Sequence, residues 1–469
     1  MIRFHNTLSG HTEEFRPLTP GRVKLYTCGP TVYDFPHIGN YRAYVFEDLL
    51  KRFLMMSGLR VLHVMNITDV DDKTIRGAKA RGLSLGEYTQ EYTLSFFEDV
   101  RALNILPADH YPRATDHIPE IVRLVRGLLD KGFAYEKDGS VYFSIAKFPA
   151  YGHLSKIDQA GLSPGQRVEA DEYEKESIHD FALWKKAKEG EPSWDTELGA
   201  GRPGWHIECS AMSLKYLGST FDLHCGGVDN IFPHHENEIA QSESYTGASF
   251  VRCWLHCHHL IVDGQKMSKS KGNFFTLRDL QSQGLDPLDL RFLLLSTHYR
   301  KTLNYTAESL AQAKAARQRL RDFLYELDHR RFPQGETEEV VALARETRAK
   351  FLEGLGEDLN ISAALTALFE FVRKVNVRVA SGALTSGDAH LARSLLLELD
   401  SGLGVLPRPA EEGLPDGLKQ KIEEREKARR EKNFALADKL RAELLEAGIL
   451  LEDSKEGVRW KVQGGAPRK

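Results

Sequence analysis

Two short stretches hold residues whose types and spacing suit phosphate chemistry. One is Pro30-Thr31-Val32-Tyr33-Asp34-Phe35-Pro36-His37-Ile38-Gly39-Asn40, which follows a short apolar strand and leads into a helix. A helix start offers free backbone N–H groups and the positive end of a dipole. His37 adds a donor, and Gly39 lets backbone come close to a ligand. The other is Lys266-Met267-Ser268-Lys269-Ser270, a Lys/Ser loop far downstream. Its lysines place positive charge where a polyphosphate gains negative charge in the transition state.

A third group suits a metal. His234 and Glu238 are four apart on an expected helix and so share a face. Cys28 ends the first strand, and Cys209 lies near a helix start. Two thiolates, an imidazole and a carboxylate can close a tetrahedral Zn²⁺ site, and sulfur ligands favour zinc over magnesium or calcium. By spacing alone the same residues also read as two buried thiols and a solvated His/Glu pair.

These residues need a frame. Val23–Cys28 reads as a strand, and Tyr41–Ser57 as a helix with Val45, Phe46, Leu49, Leu50, Phe53 and Leu54 at helical spacing. Val61–Ile67 is a second strand, which completes a βαβ unit. Ile118–Lys131 is helical and Val141–Ile145 a strand. Tyr151–Gly204 is loop-rich, with an apolar patch at Asp180–Lys185. The sheet pattern resumes with a helix at Ile207–Leu217 and a strand at Phe221–His224. Pro233 is expected to open another helix. Cys28, Thr68-Asp69 and His224–Asp229 all fall at strand carboxyl ends, where doubly wound sheets bind ligands.

The chain has 469 residues and a formal charge of −4, so several domains are expected and bulk charge announces no nucleic acid. Five cysteines argue against a disulfide framework and for a reducing compartment. No apolar run approaches a bilayer span and no signal peptide is seen, so a cytoplasmic protein with no membrane partner is expected. Cys253 and Cys257, with their neighbouring histidines, lie on a strand whose alternation prevents convergence on a second metal.

The phosphate motifs, in this order, resemble the two signatures of class I aminoacyl-tRNA synthetases, with Asn40 in place of the usual final histidine. Tyr26–Thr31, Gly204–Met212 and Phe232–Glu238 look like diagnostic segments of the cysteinyl-tRNA synthetase family. Ala428–Asp438, Gly448–Asp453 and Val458–Trp460 resemble its anticodon-binding end.

The resemblance implies an α/β protein. It would have a split Rossmann-type parallel-sheet catalytic domain, an α-helical bundle and a small C-terminal anticodon-binding domain. The boundaries read as 1–105 and 201–250 for the two catalytic halves, with a connective insertion at 106–200. The loop and stem-contact region spans 251–310, the bundle 311–400, a linker 401–417 and the last domain 418–469. The resemblance also implies ATP-dependent attachment of L-cysteine to tRNA(Cys) by a monomer holding one Zn²⁺, with Mg²⁺ accompanying the ATP.

By the same resemblance the metal ligands are Cys28, Cys209, His234 and Glu238. The catalytic candidates are His37, Asn40, Lys266 and Lys269; Gly39, Lys269, Ser270 and Asp229 would bind ATP. Gly29, Thr68 and Trp205 would hold the amino acid, and Arg429, Asp438 and Asp453 the anticodon bases. His224, His235, His256 and His258 are further candidates for lining the pocket by proximity. A rival is a cysteine ligase acting on an amino sugar, which would not need the Ala428–Asp453 segment. A non-catalytic zinc and RNA-binding protein is another, but it would not need the two lysines.

Overall fold

A computed structural model describes residues 1–157, 180–268, 271–407, 416–431, 433–446, 449–454 and 457–462. Four parallel strands form the central sheet: β1 (Arg22–Thr27), β2 (Arg60–Met65), β3 (Phe221–Gly227) and β4 (Val251–Cys257). Their order is β4-β3-β1-β2. The strand order reverses between β1 and β3, which opens a crevice at their carboxyl ends. Cys28 leaves β1 there, its N–H donating to the Cys225 carbonyl at 3.4 Å.

Helix α1 (Ile38–Met56) crosses from β1 to β2. Val45, Phe46, Leu49, Leu50, Phe53 and Leu54 are all buried, as their 3.6-residue rhythm predicts. The helix ends at Ser57, and Gly58 follows with φ +82°. Helix α2 (Trp205–Leu217) precedes β3, and helix α3 (Glu236–Thr246) lies between β3 and β4. The α3 start corrects an expectation. Pro233 sits in the turn Ile231–His235, and the α-helix opens at Glu236.

The loop-rich reading of the insertion is also corrected. Phe181–Lys186 is the third strand of an antiparallel sheet with Ala134–Lys137, Ser140–Phe143 and Gly201–Pro203. Its first five residues are buried, because both faces of that strand are covered. The last strand of this small sheet runs into α2 after a single residue, so the insertion sets where α2 begins.

Beyond β4, Leu260–Val262 pairs antiparallel with Gln265–Lys266 and parallel with Leu303–Tyr305. Helices Ala307–His329, Glu338–Gly356, Ile361–Ala380 and Ser386–Leu403 then pack as a bundle. The linker expectation meets a difference at its start. The last bundle helix runs through Leu403, and Leu403, Val405 and Leu406 are buried. Asp400 accepts the backbone N–H groups of Val405 and Leu406 at 2.8 and 3.1 Å, which ties this turn down. Residues 408–415 lie outside the described residues.

Helices Asp416–Arg430 and Phe434–Glu446 and the hairpin Ile449–Ser454/Gly457–Val462 form the last unit. Among the described residues no helix is long and apolar enough to cross a membrane.

Candidate active site

The two distant phosphate motifs meet. His37 is the N-cap of α1: its ring accepts the Asn40 N–H at 3.3 Å, and the Asn40 side-chain oxygen accepts the His37 N–H at 3.0 Å. Asn40 thus completes a reciprocal cap, and its amide oxygen is engaged there. The Ile38 N–H donates to the Phe275 carbonyl at 3.0 Å, and the His37 ring lies 5.2 Å from Phe274, edge-on. A Cβ on Gly39 would fall 2.9 Å from the His37 ring and 3.0 Å from Met267 Cε. The Lys/Ser loop therefore packs closely over the helix start, and a side chain at 39 would push on both neighbours.

Lys266 is exposed at the end of its hairpin strand. Asn273 braces the loop by accepting the Ser268 N–H at 2.8 Å and donating to the Lys266 carbonyl at 3.3 Å. Lys269 and Ser270 lie outside the described residues.

Deeper in the crevice, one ligand atom each from Cys28, Cys209, His234 and Glu238 lies within 4.8 Å of the others. The strand end of β1 brings Cys28, the first turns of α2 bring Cys209, and the α3 entry brings His234 and Glu238. His234 Nε2 is 3.1 Å from Glu238 Oε1, and Cys28 Sγ is 3.8 Å from the same oxygen. Cys209, His234 and Glu238 are buried, while Cys28 is partly open.

The electrostatics follow from crowding these groups in low dielectric. The hydrogen bond from Cys28 holds the Cys209 thiol down at about 6. Burial drives the Cys28 thiol up, and its partner Cys209 drives it further. Burial opposes charge on His234, but Cys209 and Glu238 outweigh it and lift the imidazole to about 10. Burial likewise opposes charge on Glu238, yet His224 and His234 hold it at about 2. A bound divalent cation would displace these protons, because metal ligands must be deprotonated.

The donor set passes the chemical test for a soft or borderline ion, having two sulfurs, one nitrogen and one oxygen. A second grouping, Cys28 with His224, His235 and Glu238, overlaps it. Those two histidines are arranged as outer partners. His224 Nε2 holds the far oxygen of Glu238 at 3.0 Å, leaving Oε1 toward Cys28 and His234. His235 Nε2 is 3.3 Å from Cys28 Sγ, and its Nδ1 meets His256 Nε2 at 2.8 Å. His256 in turn reaches Thr7 Oγ1 at 2.7 Å. Such relays fix ligand orientation. His258 lies exposed beyond β4, away from this relay.

The expected amino-acid pocket surrounds this group. Trp205, 40% exposed, stacks on His234 with ring centroids 4.4 Å apart. His206 Nδ1 lies 2.9 Å from His234 Nδ1, a contact that the sequence reading missed. Buried Thr68 is pinned to the first motif, its N–H donating to Pro30 O and its carbonyl accepting from the Val32 N–H, both at 3.1 Å. Asn66 accepts the Gly29 N–H at 3.0 Å and donates to Thr68 Oγ1 at 3.1 Å.

A Cβ on Gly29 would come within 1.7 Å of the Asn66 carbonyl, so this glycine serves backbone against backbone. Asp229 is exposed in the turn after β3. Arg429 and Asp438 are exposed on the two C-terminal helices. Asp453 lies on the final hairpin, paired with Val458.

The sheet thus carries, at its switch point, a Cys/His/Glu group that could hold a metal, faced by a helix start and a Lys/Ser loop, and this is the setting of a class I synthetase catalytic domain in the family comparison. Residues 14–315 match the profile described as the tRNA synthetases class I (C) catalytic domain. Residues 350–407 match the DALR domain, and 411–460 the cysteinyl-tRNA ligase anticodon binding domain. The chain is 50% identical over 462 residues to a cysteine–tRNA ligase of Solibacter usitatus, covering 98% of this chain and 99% of the relative. It is 50% identical to one of Leptospira interrogans with the same coverage. A methionyl-tRNA synthetase of Mycobacterium tuberculosis in complex with methionyl-adenylate shares the fold, with a TM-score of 0.58 at 17% identity. That match covers 82% of this chain and 90% of that one. The chain belongs to the cysteine–tRNA ligase family.

Proposed function

We propose that this chain activates L-cysteine with ATP and transfers it to the 3′-terminal adenosine of tRNA(Cys). One observation carries the reading: the Cys28/Cys209/His234/Glu238 group opens on the same sheet edge where the two phosphate motifs meet. Zinc is the ion that the donor set favours, and when bound it would ligate the substrate thiolate, which separates cysteine from serine where packing alone discriminates poorly. Trp205 and Thr68 flank the thiol end.

The carboxylate of cysteine attacks the α-phosphorus of ATP, and the bond to the bridging oxygen breaks to release pyrophosphate. His37 at the helix start, with Lys266 and Lys269 of the loop and magnesium on the nucleotide, offsets the charge that grows on the phosphates. Gly39, Ser270 and Asp229 would bind the nucleotide. A ribose hydroxyl of the tRNA then attacks the carbonyl carbon of the adenylate, and AMP leaves. Arg429, Asp438 and Asp453 read unstacked anticodon bases on their edges.

Cysteine-dependent ATP–pyrophosphate exchange, followed by charging of tRNA(Cys), tests this. Exchange with cysteine and not serine is expected. Absence of cysteine-dependent exchange in metal-loaded protein would overturn the reading.

A further inference from the structure

Three carboxylates gather between the exit of β2 and the start of α2: Asp69, Asp71 and Glu208. Two are committed. Asp69 accepts the Thr115 N–H at 3.0 Å and its hydroxyl at 2.6 Å. Asp71 caps the Asp72–Arg81 helix, accepting from the N–H groups of Lys73 at 2.7 Å and Thr74 at 3.0 Å. Glu208 is fully buried, and neither of its oxygens makes a well-formed hydrogen bond; the Thr68 hydroxyl is the donor beside it. The groups that act on it are Cys209, Asp69 and Asp71, together with the Thr68 hydroxyl, and no cation stands among them. An unpaired buried carboxyl costs folding stability, so its presence calls for a partner.

Its place is set by the helix. Trp205 lies three residues before Glu208 and four before Cys209, so its side chain neighbours both on α2. Trp205 stacks on His234, and Cys209 belongs to the metal-binding group. Glu208 thus lies buried beside Cys209 of that group and the Thr68 hydroxyl.

We propose that Glu208 accepts the ammonium group of the amino-acid substrate. This deepens the cysteine-activating reading and rests on it. In cysteine the thiol and the ammonium sit on adjacent carbons. A thiol held at the metal-binding group therefore delivers the ammonium a few ångströms away, toward the side chain next to Cys209. An ammonium has three donors and no acceptor, which is what an unpaired carboxylate lacks. With both of those ends anchored, the substrate carboxylate is the end left to turn toward the Lys/Ser loop.

The test is a cycle between protein and ligand. L-cysteine and 3-mercaptopropionate, which differ only by the ammonium, are titrated calorimetrically into zinc-loaded wild type and Glu208→Gln. The expected result is that the variant binds cysteine about 10- to 100-fold more weakly and keeps its affinity for 3-mercaptopropionate. A second readout separates ligand binding from a structural role. The ligand-free variant should melt no lower than wild type, since a buried unpaired carboxyl has been removed. Glu208→Leu carries the same comparison if the Gln variant does not accumulate.

Equal weakening of both ligands, or no weakening of either, would overturn the proposal and leave cysteine activation standing. Wild type that binds neither ligand would overturn both.

Discussion

The crevice and the C-terminal unit solve opposite problems. In the crevice, groups from β1, α2 and the α3 entry are buried together, and their charges are set by one another. In the C-terminal unit, the core among the described residues is Ile422, Leu444, Ile449 and Leu451, with Leu418 packed against it. Arg429 and Asp438 face outward there. A soft ion and a thiol need a dry, rigid surround, because low dielectric strengthens each interaction. Unstacked bases need edges they can reach, so their readers must stay on the surface. On the proposed reading, chemistry is embedded and recognition is displayed.

The sharpest way to break this contrast is Cys209→Ser. Loss of a ligand from a buried site should exceed the roughly 10- to 100-fold cost of losing an outer partner. Metal analysis after mild chelation and pyrophosphate exchange should show zinc and cysteine preference lost together. Retention of both would mean that Cys209 is only a core thiol.

Next in size is the Lys/Ser loop. Lys269→Ala should slow adenylate formation ~100-fold, about 3 kcal/mol, with little change in cysteine affinity, because the charge it meets grows in the transition state. Lys266→Ala tests the same loop from the described side. A raised KM for cysteine at an unchanged rate would move the loop out of phosphate chemistry.

Smaller still is the surface unit. Asp438→Ala should leave pyrophosphate exchange intact while charging of tRNA(Cys) falls by about 1–3 kcal/mol, the cost of one base-edge contact elsewhere. Full charging would remove Asp438 from recognition. Chain termination after residue 407 extends the test to the whole unit.

The last test concerns stability alone and leaves the chemistry untouched. Burial holds His63 at about 3, against 6.5 for an exposed imidazole. Its ring meets Thr27 Oγ1 at 2.9 Å behind the crevice. Between those two values the unfolded chain binds a proton that the folded chain refuses. The stability is therefore complete above pH 6.5 and is lost as pH falls toward 3, by about 1.4 kcal/mol per unit. His63→Leu should flatten the pH dependence of urea unfolding for the body. An unchanged slope would place the acid sensitivity elsewhere.

Much of the site was legible in the sequence because its chemistry is local. The His37–Asn40 run, the Lys266–Ser270 loop and the Trp205–Cys209 segment are contiguous, and each falls beside the strand or helix its spacing implies. Elements with a clean period were also legible, such as α1. Pro233 misled, because a proline fits a first helical turn as well as the turn before it. Phe181–Lys186 was hidden because a strand buried on both faces shows no alternation. Glu208 was overlooked between Trp205 and Cys209, although its place three residues after Trp205 was available as a signal.

The sequence by itself determined the kinds of donor, their local spacing and the family's long motifs, since these are properties of covalent order. Tertiary structure alone decided which histidines stand behind Glu238 and Cys28. It also decided that Gly39 meets Met267 and that Glu208 is buried with no cation beside it. Those facts depend on segments far apart in the chain meeting at one sheet edge. Burial there sets protonation and partnership through neighbours that no local pattern encodes.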